Sequence, residues 1–331
     1  MARNPSIEAL RFALMFGIVL EHVMAYSGNR AVASVLDSCV DGFVFISGYY
    51  GIKFKISKVL RLMLLAVGYS IALNLIDLLS GNNIGNTLVG LLKIRGWWFL
   101  WAYLVVMLLV PLMEYGNPDK RKFGSAAVPV IALVFVWSYA IKLPFFRDVL
   151  PSPVGFGPLT FLTLFGVYVF ARMFRLCALD RKINPSVYVV GGFMAVLLAA
   201  RGEWWHNSLP MLFLAMTWFV VFSRLRLPDI LGRILAWCGP SMLPVYILHC
   251  NDTTSVLWKD FSDYLTSNCG VPSFLSSFVI AVVVFLLCLF VDALRRVIAS
   301  PMLSLLKRWL DVLDQKYDQL MHSLERWCCN G

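Results

Sequence analysis

The first apolar stretch of the chain carries two side chains that lipid should exclude, Arg11 and His22. They stand eleven residues apart. On a helix turning 100° per residue this spacing ends about 20° from three full turns. Both side chains then project from one face, about 16 Å apart along the axis. A guanidinium is a permanent cation whose planar donor fork suits phosphate or carboxylate. A neutral imidazole can take the proton of an attacking hydroxyl. One stripe therefore offers an anion anchor at one end and a titratable base at the other. A purely structural reading stands beside it, in which Arg11 reaches headgroups or pairs with Glu8 at i,i+3 and His22 is a core residue. Glu21 points about 100° away from His22. It either serves a different helix or turns inward to orient the imidazole.

The next apolar stretch adds Asp37, Asp41 and the pair Ser47-Gly48. Asp41 falls near mid-membrane and needs a donor. Arg11 or His22 is the obvious one, because sequential spans tend to pack together. Ser47-Gly48 suits either close helix approach or chemistry. The following turn holds Lys53, Lys55, Lys58 and Arg61, a cluster that can bind polyphosphate or set topology. His249, ending the run Tyr246-Ile247-Leu248-His249, is a second candidate base. His206, beside Trp204 and Trp205, and His322 read as interfacial or solvated. Trp97, Trp98 and Trp101 fit an aromatic belt, with sugar stacking as the alternative. The eight cysteines form no CxxC pair and no zinc spacing with a histidine, so no metal is expected and they read as small buried hydrophobes. A Cys250–Cys269 bridge would require an oxidising compartment.

Composition sets the elements that must carry these residues. Of 331 residues, 60% are hydrophobic and only 15% charged, against about 25% charged in a soluble domain. That excludes soluble, disordered and fibrous classes and leaves an all-α polytopic membrane protein. Apolar runs near twenty residues occur at roughly 7–27, 32–51, 59–79, 97–114, 125–142, 159–176, 185–200, 209–223, 234–250 and 273–294. With the N-terminus inside, the inner connections carry Lys53, Lys55, Lys58 and Arg61; Lys120, Arg121 and Lys122; Arg172, Arg175, Arg181 and Lys182; and Arg224, Arg226 and Arg233. The outer ones hold Arg30; Lys93 and Arg95; Lys142 and Arg147; Arg201; and Lys259. This positive-inside pattern predicts about ten spans with both termini cytoplasmic. The net charge of +10 then points to topology and anionic headgroups rather than nucleic acid. The first run, interrupted by Arg11, Glu21 and His22, is a poor signal-peptide core.

The division expected is a ten-span membrane domain over 1–296 and a cytoplasmic tail over 297–331. In the tail, Leu303, Leu306, Leu310, Leu313, Tyr317, Leu320, Leu324 and Trp327 recur at three- and four-residue steps, the pattern of an amphipathic helix on a membrane surface or a partner. The segment 143–158, with four prolines among phenylalanines, reads as a loop. No P-loop, HExxH, GxSxG or dinucleotide fingerprint is present.

The run Ile7-Glu8-Ala9-Leu10-Arg11-Phe12-Ala13 through Glu21-His22 resembles the acyltransferase 3 family of integral membrane acyltransferases, which opens with Arg, ten residues and His. Val40-Asp41-Gly42-Phe43-Val44-Phe45-Ile46-Ser47-Gly48-Tyr49 resembles its second-helix signature. Trp98-Phe99 through Pro111 and Val245-Tyr246-Ile247-Leu248-His249 resemble its later landmarks. The resemblance implies a multi-pass protein of the inner (plasma) membrane with no bound cofactor and an acyl-coenzyme A co-substrate, usually acetyl, arriving from the cytoplasm. It implies an acceptor hydroxyl on a glycan or lipid-linked sugar. His22 then carries catalysis as general base or transient acyl carrier, with Asp41 orienting it or Arg11. Arg11, Lys58 and Arg61 hold the donor's phosphates, and Ser47 meets its thioester end. Two readings compete with acyl transfer. A proton-coupled transporter or flippase would use His22 and Asp41 as a relay, and an assembly subunit would act through its tail.

Overall fold

The computed structural model describes residues 4–79, 97–114, 120–140, 161–201 and 208–329. Helix α1 (Pro5–Tyr26) starts where the Asn4 side chain accepts from the Ser6 amide at 3.0 Å, with Pro5 at the first helical position. That capping satisfies one of the free first-turn donors and uses a proline where no donor is lost. The second apolar run folds as two helices, α2 (Arg30–Leu36) and α3 (Ser38–Tyr50), which meet at Asp37. Gly51 ends α3 at φ +76°, against the Arg172 guanidinium, a backbone region that favours glycine. The order continues with α4 (Ile56–Leu79), α5 (Trp98–Glu114), α6 (Lys120–Ala140), α7 (Phe161–Leu176), α8 (Leu179–Lys182), α9 (Pro185–Arg201) and α10 (Leu209–Ser223). Helices α11 (Asp229–Cys238) and α12 (Met242–His249) are joined by a 3₁₀ turn at Gly239–Ser241. Then come α13 (Asp252–Ser267), α14 (Ser273–Ile298) and α15 (Ser300–Cys329). Among the described residues there is no strand.

Each of the ten apolar runs is mostly helical where it is described, with breaks at Asp37 and Gly239–Ser241. Among the described residues, four stretches are long and apolar enough to cross a bilayer: Arg30–Tyr50, Ile56–Ile76, Asp229–His249 and Ser273–Ile298. Shorter apolar helices lie at Trp98–Pro111, Phe123–Val134, Pro185–Arg201 and Leu209–Ser223. Outward faces confirm the class. Val190, Phe193 and Met194 on α9 and Leu287, Phe290 and Val297 on α14 are all more than half exposed, a surface suited to lipid and not to water. The proline-rich segment at 143–158 and His206 with Trp204 and Trp205 lie outside the described residues.

Contacts group the chain into two units, Met1–Ile52 with Gly96–Leu289, and Lys53–Arg95 with Phe290–Gly331. In the first, α1 is packed by α2, α3, α10, α11 and α12. Phe12 and Phe16 meet Phe285 of α14 edge-on. Because lipid tails are as apolar as the core, such helices hold together by close van der Waals fit and polar contacts. Small residues set that fit. A side chain at Gly17 would strike Cys39, one at Gly42 would strike Leu14, and one at Gly48 would strike the Tyr168 carbonyl of α7. Ser47-Gly48 thus brings α3 close to α7. Behind this contact Phe45, Tyr168, Phe174 and Phe219 are almost fully buried.

In the second unit α15 packs on α4. Asp314 accepts from the Ser57 amide at 2.9 Å and from its hydroxyl at 2.6 Å, capping the first turn of α4. Lys55 stands 3.8 Å from Asp314, and Arg61 stands 3.6 Å from Asp311. The apolar stripe of α15 divides. Leu310 is buried, while Leu313 and Leu320 are exposed. Tyr69, Asp292 and Arg295 form a further network in this unit, with the Tyr69 hydroxyl 2.7 Å and an Arg295 nitrogen 2.7 Å from Asp292 Oδ1.

Candidate active site

His22 lies in the last turns of α1, and His249 is the last residue of α12. Their Nδ1 and Nε2 atoms are 2.9 Å apart. The other nitrogen of His249, Nδ1, lies 2.7 Å from the Val245 carbonyl one turn back. A carbonyl only accepts, so Nδ1 carries the proton and Nε2 presents a lone pair. With both rings neutral, His22 Nδ1 must donate to that lone pair. The remaining nitrogen of His22, Nε2, then keeps its own lone pair and lies 3.3 Å from Glu21 Oε2. The His22 side chain is 37% exposed, whereas His249 is buried. The geometry yields a basic nitrogen on a partly exposed ring, a buried ring that fixes its tautomer, and a carboxylate placed to stabilise the imidazolium once a proton arrives. That division of labour is the logic of an oriented acid–base pair. Glu21 turns toward His22, the second of the two orientations its spacing allowed.

Indole donors hold the carbonyls that the end of α12 leaves without helical partners. Trp97 Nε1 donates to the Ile247 carbonyl at 3.1 Å and Trp258 Nε1 to the His249 carbonyl at 3.4 Å. The Phe99 amide donates to the Tyr246 hydroxyl at 3.4 Å. The stretches around 98–99 and 245–249, read separately in the sequence, are thus one contact. Helix α13 was not foreseen: its charges and low hydropathy hid a helix that carries Trp258 beneath His249.

Cys250 also escaped the sequence reading, which treated it as a small hydrophobe. Its sulfur lies 3.3 Å from His249 Nε2 and 3.7 Å from His22 Nδ1. The three donor atoms all fall within 4.8 Å of one another. Cys250 and Cys269 are both free thiols.

Near the start of α1, Arg11 Nη1 pairs with Glu8 Oε1 at 2.6 Å, as the i,i+3 reading anticipated. Its side chain is 37% exposed. Ser47 Oγ donates to the Phe43 carbonyl or meets the Tyr103 hydroxyl at 3.0 Å. Beside it, Arg175 donates to Tyr49, which in turn donates to Asp180, both at 2.7 Å. Tyr103 and Arg175 carried no motif signal, since each gains meaning only from residues distant in sequence, whereas Tyr49 closes the second-helix signature.

Asp41 is fully buried on α3. The contacts Gly17–Cys39 and Leu14–Gly42 run the two helices antiparallel and put Asp41 level with Met15. Seven residues of helix then separate that level from His22, about 10 Å. The described partners of His22 are His249, Cys250 and Glu21. Lys58 donates to the Lys53 carbonyl at 3.0 Å, and Arg61 faces Asp311.

The family model of an acyltransferase domain matches residues 4–293. The chain belongs to the acyltransferase 3 family. Comparison with curated proteins and with solved structures gives no match. The family match spans α1 to α14 almost to its end, so it contains both histidines, Arg11 and the contact between the starts of α5 and the end of α12. This chain is therefore a membrane acyltransferase.

Proposed function

We propose that the protein is a membrane O-acyltransferase that moves an acyl group, acetyl in the first instance, from cytoplasmic acyl-coenzyme A to a hydroxyl of a cell-surface or lipid-linked glycan. The observation that carries this reading is the paired imidazoles of His22 and His249, with one ring locked and the other left basic and partly exposed. The acceptor hydroxyl gives its proton to His22 Nε2 as its oxygen attacks the thioester carbonyl. Glu21 and His249 stabilise the imidazolium. Collapse of the tetrahedral intermediate breaks the carbon–sulfur bond, and the coenzyme A thiolate takes the proton back. Arg11 is the fixed cation for the donor's phosphates, with Lys58 and Arg61 as further donor cations and Ser47 at the thioester end. Asp41, closer in level to Arg11 than to His22, acts on the donor side.

This reading places the protein in the inner (plasma) membrane with both termini cytoplasmic. The deciding experiment is mass spectrometry of surface glycans from cells with and without the protein. Loss of acetyl groups on deletion, restored by the wild-type chain, is expected. Unchanged glycans together with proton-coupled flux and no affinity for acetyl-coenzyme A would assign the chain to transport instead.

A further inference from the structure

The edges of the triangle formed by His22 Nδ1, His249 Nε2 and Cys250 Sγ are 2.9, 3.3 and 3.7 Å. A tetrahedral zinc ion with Zn–N near 2.0–2.1 Å and Zn–S near 2.3 Å requires N···N edges of about 3.3 Å and N···S edges of about 3.5 Å. The triangle meets those lengths to within roughly 0.4 Å on every side. Behind it, the far nitrogen of each ring faces an oxygen. His249 Nδ1 is held by the Val245 carbonyl, and His22 Nε2 lies beside the Glu21 carboxylate. Metal-binding histidines are oriented in this way, with the outer N–H on a carbonyl or carboxylate and the lone pair turned inward. If both outer nitrogens carry protons, two lone pairs face each other at 2.9 Å. That arrangement is repulsive unless a cation lies between them.

We propose that His22, His249 and Cys250 form a binding site for a soft divalent ion of the zinc class. The donor set of two imidazoles and a thiolate matches such an ion rather than magnesium or calcium, which prefer oxygen ligands. Loading balances simply. The His22 ring proton moves from Nδ1 to Nε2, where Glu21 receives it, and the Cys250 thiol proton leaves to solvent. In the loaded state His22 has no basic nitrogen left, so the ion and the acceptor's proton exclude one another and zinc switches transfer off. No zinc pattern is visible in the sequence because the first ligand stands 227 residues from the second.

Binding needs neither acyl donor nor acceptor, so its test stands apart from the transfer reaction. The full chain, purified in detergent under reducing conditions, is incubated with zinc chloride, desalted, and assayed for zinc by mass spectrometry. A parallel sample takes cobalt(II), whose thiolate charge-transfer absorption reports a sulfur ligand. One ion per chain is expected in wild type. Cys250→Ser, nearly isosteric, should lose the cobalt–thiolate band and weaken zinc binding at least tenfold, and His249→Ala should do the same. A Cys328→Ser/Cys329→Ser chain should keep both signals. Wild-type protein that holds no ion, or zinc binding that survives both Cys250→Ser and His249→Ala, overturns the site, whatever the glycan assay shows.

Discussion

At the α4–α15 contact Asp314 spends both oxygens on Ser57 and sits within reach of Lys55. At the α1–α12 contact the polar groups are arranged differently. His249 is fully committed, but the second nitrogen of His22 meets no donor among the described residues, and the ring is partly exposed. Both contacts bring a polar side chain between helices. The first saturates its acceptor, which is what a structural junction needs, because an unmet buried polar group costs about 1–3 kcal/mol. The second leaves a lone pair open beside a carboxylate, which stabilises nothing until a proton arrives. Saturation suits a group that holds the fold, and a lone pair left open beside a carboxylate is what the proposed base requires.

The largest loss is expected at His22. His22→Ala should lower acyl transfer about 10²–10⁴-fold while the chain still inserts, measured as product per inserted protein. Wild-type turnover in that variant would make the open nitrogen incidental. His249→Ala removes the ring that fixes the tautomer but leaves the base, so transfer should fall less, by about 10²-fold at most. A larger loss than in His22→Ala would reverse the roles of the two rings.

Arg11→Ala sharpens the picture at the other end of α1. It should raise the KM for acyl-coenzyme A several-fold with a smaller change in kcat, because a fixed cation far from the reacting bond binds ground state and transition state alike. A kcat-only effect would contradict the donor role. The smallest effect is expected at the saturated contact. Asp314→Ala should weaken α15 docking by about 1 kcal/mol, the worth of a helix cap, read by protease access to α15. Burial pushes the Asp314 carboxyl up, but the Ser57 hydrogen bonds and the charges of Lys55 and Arg61 outweigh it and hold it below the usual carboxylate value. Its contribution is therefore complete above the ordinary carboxylate range, about pH 4, and disappears as pH falls through the lowered value. Docking that is insensitive to acid would remove Asp314 from this account.

Much of the architecture was legible because a membrane helix announces itself by length and hydropathy. All ten apolar runs became mostly helix where described, and the stripe at 303–327 became part of α15. The breaks at Asp37 and at Gly239–Ser241 have a local signal, a charged residue and a Gly-Pro pair, but a count of apolar residues over twenty positions passes over both. The site was half legible. Arg11 and His22 share one helix, so their spacing fixed their relation. Packing of neighbouring spans offers Asp41 either Arg11 or His22 as partner, and only the register of α3 on α1, set by Gly17 and Gly42, brings it to the level of Met15, nearer Arg11. His249 stood only as a second candidate, because nothing in local sequence says that residue 249 meets residue 22.

The most direct test of the open-nitrogen account is acyl transfer by the inserted His22→Gln chain. A glutamine amide can donate to His249 but cannot take a proton from a hydroxyl. The account predicts turnover as low as in His22→Ala. Restoration to wild-type turnover would show that His22 only holds α1 against α12, and would contradict it.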